Sequence, residues 1–133
     1  MINPLSLNVS GLLAASKKAA DASSNIANAS SSGSLDPASP NQPYSAVDTV
    51  TTPVAGGGVK AVSVTRTPGF VPSYEPNSPL ADAEGLVGAP NVNLDEELIA
   101  LKTAENAYKA NAQALRMTRE MQDTLITAID KKV

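Results

Sequence analysis

Four short patterns in this chain use residue types that carry chemistry in other proteins. The acidic triplet Asp95-Glu96-Glu97 could hold a cation or exchange protons, and the glycine run Gly56-Gly57-Gly58 has the composition of a phosphate-binding loop. Tyr108 offers a ring on which a ligand could stack. The pair Lys17-Lys18 lies on an amphipathic stretch that could contact anionic lipid. Each pattern also has a purely structural explanation.

For the acidic triplet and the glycine run, the structural explanation is the better one. Asn93 is a good helix N-cap, Glu96 stands three residues on as in a capping box, and acidic residues favour the positive end of a helix. The glycine run is followed neither by Lys-Ser/Thr nor by a helix, so it suits a hairpin turn. The chain also contains no His and no Cys, which removes the commonest general base, common metal ligands and disulfides. We predict no catalytic residue, no metal site and no bound cofactor.

The aromatic and basic residues lead to the same conclusion. Tyr108 falls on an apolar helical stripe, where packing is the ordinary role of a ring. No Trp or Phe lies near the lysine pair to anchor the helix in lipid, and no stretch of about 18 apolar residues is present. A net charge of −3 and a pI near 4.8 argue against nucleic acid as a partner. The prediction is therefore a protein that inserts into no membrane and binds no nucleic acid.

The elements that would position any surface are two terminal helices. Apolar or small residues recur at steps of three and four near the start, at Ile2, Leu5, Val9, Leu12, Ser16, Ala19, Ser23 and Ile26. They recur again near the end, at Leu94, Leu98, Leu101, Ala104, Tyr108, Leu115, Leu125 and Ile129. We predict a core helix over 1–28, capped by Asn3, and a core helix over 94–133, whose end Lys131 and Lys132 complement.

The middle of the chain has a different character. Residues 29–43 are rich in Ser, Pro and Asn and predict a flexible linker. Val and Thr dominate 44–74, where Tyr44–Thr52 and Val59–Arg66 flank the glycine run and predict a β-hairpin. Val62 and Val64 alternate with polar residues, which suits a strand with one buried and one wet face. Residues 75–93 lack a regular period and predict an extended arm.

The fold class that results is mainly α with a small β part, in which the long terminal helices form an antiparallel, coiled-coil-like pair. The 42% hydrophobic fraction comes mostly from Ala, Val and Leu, with only 3% aromatic residues, so one copy can bury little apolar area. The helical stripes therefore need neighbouring copies as partners. We predict subunit contacts at Leu5, Val9, Leu12, Ile26, Leu98, Leu101, Tyr108, Leu115 and Leu125.

Several short segments resemble one known family. Ser24–Ala29 (SNIANA) resembles the S-N-[IL]-A-N-A signature of the axial rod and hook proteins of the bacterial flagellum. Further segments follow in the order seen in the proximal-rod members: Gln42–Tyr44, Gly57–Lys60, Tyr74–Pro76, Asn77–Asp82, Gly85, Pro90–Asn93 and Tyr108–Asn111. Asn106 stands where the family often has Arg, and Leu86 replaces a common Tyr. Residues 29–43 also lack the T-P-G-Y element of many relatives.

The resemblance implies a rod subunit of the flagellar basal body. Its terminal helices would line a hollow helical tube, and its hairpin and arms would contact adjacent subunits. Its partners would be copies of itself and other rod proteins, with basal-body ring and export-apparatus components nearby in the periplasm-spanning rod. Export would use the flagellar type III apparatus, which fits an N-terminus without the basic and apolar regions of a cleaved signal. A soluble helical hairpin that binds one partner helix remains the alternative from the residues alone.

Overall fold

A computed structural model describes residues 4–130 as two long helices with four short strands between them. The elements are α1 (Pro4–Asn28), β1 (Val47–Pro53), β2 (Val59–Thr65), β3 (Phe70–Tyr74), β4 (Leu86–Pro90) and α2 (Leu94–Asp130). At 1.5 Å per residue the helices are about 37 and about 55 Å long. The predicted class, mainly α with a small β part, is confirmed. The first stripe residue Ile2, the cap Asn3 and the two terminal lysines at 131 and 132 lie outside the described residues.

The two helices run antiparallel and approach closely through small side chains. Asn8 on α1 donates to the Thr118 hydroxyl at 3.4 Å near one end of the pair, while Asn25 donates to Glu97 at 2.9 Å near the other. A Cβ built on Gly11 would lie 2.3 Å from the Asn111 Oδ1 atom, so an alanine at this position would require the Asn111 side chain to move. The buried apolar residues of the helices are Ala15, Ala22 and Ala104. Small contact residues permit a short interaxial distance but bury little apolar area.

The helix α2 begins as predicted, although one of its three acidic residues has another role. The Asn93 side chain accepts the Asp95 N–H at 3.1 Å, which confirms Asn93 as the N-cap. Asp95 and Glu96 are exposed in the first turn. Glu97 is buried and pairs with residues of α1 and the hairpin strand end rather than acting as a cap. The explanation of the triplet by capping alone was wrong for this residue.

The predicted hairpin is confirmed, but its apolar side is outward. β1 and β2 pair antiparallel with Thr49 opposite Ser63 and Val50 opposite Val62, and the glycine run turns at positive φ near 90°. The side that faces α1 carries the Thr49 and Ser63 hydroxyls, which donate to Asp21. Val50, Val62 and Val64 point the other way and are exposed. The polar residues face the helix because a carboxylate on α1 requires donors there.

A second antiparallel pair, β3 with β4, was not predicted. Phe70 pairs with Pro90 and Tyr74 with Leu86, so the end of the segment expected to be an extended arm is a strand. β4 is short and carries Gly and Pro, which weakens the strand pattern in the sequence. The segment 29–43 is tied to it, because Gly33 and Gly88 exchange backbone hydrogen bonds of 2.9 and 2.8 Å. Pro43 and Val87 are buried at this junction.

Candidate assembly surface

The predicted contact residues fall into two groups in a single copy. Five are half-buried, mostly along the helix pair: Leu5, Leu12, Ile26, Leu101 and Leu115. The other four remain exposed: Val9, Leu98, Tyr108 and Leu125. Half-buried residues contribute to the fold of one chain, whereas exposed large apolar residues are surface that one chain leaves uncovered. Whether all nine contact other subunits stays a prediction.

The distal part of α2 carries several large apolar side chains that one copy leaves exposed. Thr118 bonds to Asn8 near the start of α1, and beyond it the helix continues to Asp130. Met117, Met121, Leu125 and Ala128 follow one another at steps of four, four and three, and Met121 is 72% and Leu125 61% exposed. We call these four residues, with Glu120 and Thr124 between them, the distal stripe. Met117, Met121 and Ile126 were not among the predicted contact residues, although the helical spacing from Leu125 identifies the two methionines.

A shallow apolar groove of about 400 Å³ lies between the two helices, and none of its lining residues comes from the hairpin. We call it the interhelical groove; α1 lines it with Ala15, Ser16 and Ala19, and α2 with Leu101, Ala104, Glu105, Tyr108 and Lys109. The α1 side is therefore lined by small side chains, and the α2 side carries the large ones. Small residues on one side leave room for side chains of another helix.

The rim of this groove carries a net positive charge. Glu105 accepts hydrogen bonds from Lys102 at 2.8 Å and from Lys109, so two cations surround one carboxylate. The hydrogen bonds from Lys102 and Lys109, together with their charges, lower the pKa of Glu105 to about 2. The carboxylate therefore stays ionised at any physiological pH, and the three side chains together carry one positive charge.

Beneath these surfaces, Asn25 joins the hairpin to both helices. Its amide nitrogen donates to the Val47 carbonyl at 2.8 Å and to Glu97 at 2.9 Å, while its oxygen accepts the Val47 N–H and the Tyr44 hydroxyl at 3.0 Å each. Only 1% of Asn25 is exposed. This residue is the first Asn of the SNIANA segment, and the Oγ atom of Ser24 beside it lies 3.0 Å from the same Tyr44 hydroxyl oxygen. The segment thus fastens α1 to the start of β1.

Arg66, which directly follows β2, extends this network. It contacts Asp48 at 2.7 Å and Glu97 at 2.9 Å, and it donates to the Asn91 carbonyl at 2.7 Å. The hydrogen bond to Asp48, followed by that to Glu97, raises the pKa of Arg66 despite the opposing effect of burial. Glu97 is thereby satisfied by an amide and a guanidinium, which is what a carboxylate that is only 4% exposed requires.

Asp21 fastens the middle of the hairpin to α1. It accepts from the Thr49 hydroxyl at 2.6 Å, the Ser63 hydroxyl at 2.8 Å and the Lys17 ammonium at 3.0 Å. Burial by itself would raise the pKa of Asp21, but the hydrogen bonds from Thr49, Lys17 and Ser63 outweigh it and hold the pKa below its ordinary value. Lys17, considered above for lipid contact, is thus engaged within the fold.

A polar cleft of about 260 Å³ lies between α1, the hairpin and the start of α2. Asp21, Asp48 and Glu97 line it, and each is held by a cation or by hydroxyl or amide donors within the fold. A carboxylate committed to such bonds is poorly placed to exchange protons with a substrate. Among residues 4–130, no three His, Cys, Asp or Glu side chains are grouped so that they could hold a metal ion. The same residues include no helix whose length and hydropathy would suit a bilayer crossing.

Comparison with known proteins gives consistent matches over most of the chain. Residues 83–128 match the family model described as "Flagellar basal body rod FlgEFG protein C-terminal". A flagellar basal-body rod protein FlgC of Salmonella typhimurium is 36% identical, with 96% of each chain covered. The protein of that name in Agrobacterium fabrum is 38% identical over 84% of this chain and 83% of its own. The one in Bacillus subtilis is 38% identical over 50% of this chain and 45% of its own.

Proposed function

Because the chain belongs to the FlgC family of flagellar basal-body rod proteins, we propose that its copies polymerise through their terminal helices into a hollow drive shaft. The family makes the chain a structural subunit of the basal-body rod that assembles with other rod components. We propose that the shaft transmits torque, carries exported subunits through its bore and performs no catalysis. The family resemblance noted from the sequence is confirmed.

One observation supports this proposal more than any other. The largest fully buried side chains of a single copy are Val87 and Asn25, while Leu98, Tyr108, Met121 and Leu125 are exposed along the helices. Buried apolar area is the main source of stability, at roughly 25 cal/mol per Å². A chain that leaves several large apolar side chains in water on an extended helix gains that stability when other copies cover them.

The position of the chain in the cell follows from the same proposal. The rod that we propose crosses the periplasm, with ring and export-apparatus components around its base. The subunit would arrive by flagellar type III export as an unfolded chain. Two features support this route: the chain has no Cys that could form a disulfide on the way, and the buried apolar residues of its described helices are alanines, which contribute little buried area.

The test is to place a charge on the exposed helical surface without disturbing the fold of one copy. Leu125→Asp changes a side chain that is 61% exposed, so the isolated variant should keep the helicity and the unfolding midpoint of the wild type. In cells that lack the native chain, the variant should fail to restore swimming and should be absent from isolated basal bodies.

Ala38→Asp is the matched control, because it adds the same charge at an exposed loop residue outside both helices. It should restore swimming. A second variant, Leu101→Asp, is also expected to abolish rod assembly, although this side chain is half-buried in one copy. Normal swimming of the Leu125→Asp strain would contradict the proposal that the terminal helices form the subunit contacts.

A further inference from the structure

We infer that the distal stripe of one copy lies in the interhelical groove of a second copy, displaced along the direction of α2. This inference rests on the proposed function, because it specifies which two surfaces meet when copies polymerise. The occupant of the groove is thus Met117, Met121, Leu125 and Ala128 of a neighbouring copy of this chain.

The two surfaces lie on opposite sides of α2, which is the condition for joining parallel copies. A helix turns 100° per residue, so Met121 in the stripe points about 160° away from Glu105 at the groove. The stripe of a copy therefore cannot reach its own groove. When a second copy stands beside the first in the same orientation, its stripe faces the groove of the first. The contact is heterologous, so the same step can add a third copy and a fourth.

The lengths of the helices also fit this displacement. Met121 lies beyond Ala104 by 17 residues, or about 26 Å of helix. A shift of that size brings Met121 to the level of Ala104, and Leu125 to the level of Tyr108. It uses the part of α2 around and beyond Thr118, whose hydroxyl accepts a hydrogen bond from Asn8 near the start of α1.

The side chains are complementary in shape. The stripe presents Met, Met and Leu at steps of four, which form a ridge along the helix surface. The groove has low walls on the α1 side, at Ala15, Ser16 and Ala19, and Ala104 at its floor is buried. A ridge of large side chains packs well into a groove lined by small ones, and the flexible methionine side chain can fill irregular space.

The charges at the edge of the contact are complementary as well. The groove rim has one excess positive charge, because Lys102 and Lys109 flank Glu105. The stripe carries Glu120, whose own partner is the largely exposed Arg116 at 3.2 Å. Exposed pairs of this kind contribute little. Glu120 can therefore exchange Arg116 for a lysine of the rim at low cost when the copies join.

The absence of cysteine from the chain makes this contact directly testable by cross-linking. The double variant Ala19→Cys/Met121→Cys places one thiol in the groove and one in the stripe. Expressed in cells that lack the native chain and oxidised in isolated basal bodies, it should form a disulfide-linked dimer of twice 13.6 kDa, and higher multiples. Ser16→Cys/Leu125→Cys is a second pair with the same expectation. Thr52→Cys/Met121→Cys, with one thiol on the exposed hairpin, is the matched control and should give no dimer.

The outcomes separate this inference from the proposed function. Dimers from both test pairs and none from the control support the inference. If the test variants are incorporated into basal bodies and restore swimming but form no dimer, the inference is overturned while the rod role stands. Cross-links to a protein of another mass also overturn it, because the occupant of the groove is then a different rod component. Failure of the wild-type chain itself to enter basal bodies would instead remove the proposed function.

Discussion

Replacing Asn25 by Ala tests whether one buried amide holds the hairpin and both helices together. The substitution removes four hydrogen bonds: two to the backbone of Val47, one to Glu97 and one to the Tyr44 hydroxyl. The helix itself should tolerate the change, because Ala has the highest helix propensity. Any loss of stability must therefore come from the groups that lose their partner.

The size of the stability loss follows from the polar groups that lose Asn25 as a partner. A buried polar group left without a partner costs about 1–3 kcal/mol. The N–H and C=O of Val47 lose the amide directly, but Val47 is half-buried, so water compensates in part. Glu97 keeps Arg66, and the Tyr44 hydroxyl keeps Ser24. We expect the free energy of unfolding to fall by about 3 kcal/mol, a large part of the roughly 5–15 kcal/mol typical of a domain.

The assay is urea unfolding of the purified chain at pH 7, followed by far-ultraviolet circular dichroism. The control comes from the same SNIANA segment: Asn28→Ala removes a side chain that donates to the Ser24 carbonyl within the helix and is half-buried. It should cost less than about 1 kcal/mol. Equal losses in the two variants, or a loss below about 1 kcal/mol for Asn25→Ala, would refute the role assigned to this amide.

The remaining predictions concern Asp21 and three glycines. The pKa of Asp21 is depressed in the fold, so its contribution is complete above its ordinary pKa of 3.8 and is lost as the pH falls through the lower folded value. Acid titration of the unfolding free energy should therefore give a shallower decline below pH 3.8 for Asp21→Asn than for the wild type. A Cβ on Gly33 would lie 2.2 Å from a backbone nitrogen, whereas one on Gly56 meets nothing within 4 Å. Thermal unfolding should show that Gly33→Ala is clearly more destabilising than Gly56→Ala. The only cost at position 56 is that of placing alanine at a positive φ, which lowers the stability by about 1 kcal/mol. Gly11→Ala should destabilise the native chain, because the added methyl group would collide with the Asn111 side chain. In an Asn111→Ala background the same substitution should stabilise the chain by up to about 1 kcal/mol, because alanine favours the helix more than glycine does. A stability change of the same sign in both backgrounds would contradict the close approach of the helices.

The elements that local patterns specify were predicted well. Both helices follow from long apolar periodicity, and the N-cap at Asn93 follows from a residue preference that acts within one turn. The hairpin follows from two Val/Thr-rich runs around the glycine turn. In each case the physical cause lies within a few residues of the element it determines.

The contacts that depend on distant residues were not predictable in the same way. β4 has too few β-branched residues to be recognised until its partner β3 and the Gly33 backbone are placed beside it. The valines of the hairpin face outward because Asp21 accepts hydrogen bonds from the hydroxyls on the other side, at Thr49 and Ser63, which are 28 and 42 residues away in sequence. Likewise, Glu97 has the sequence context of a helix-capping residue, and only the fold brings Asn25 and Arg66 to it.

The joint between hairpin and helices also determines how the molecule responds to force. Apolar surfaces can slide past one another with little loss of energy, whereas hydrogen bonds weaken steeply when their length or angle changes. Asp21 and Asn25 hold β1 at two points one turn apart on α1, so the strand can neither shift nor pivot without breaking such bonds. A lateral force on β1 and β2 is therefore transmitted to α1 as a rigid displacement, and the hairpin and the helix move as one body.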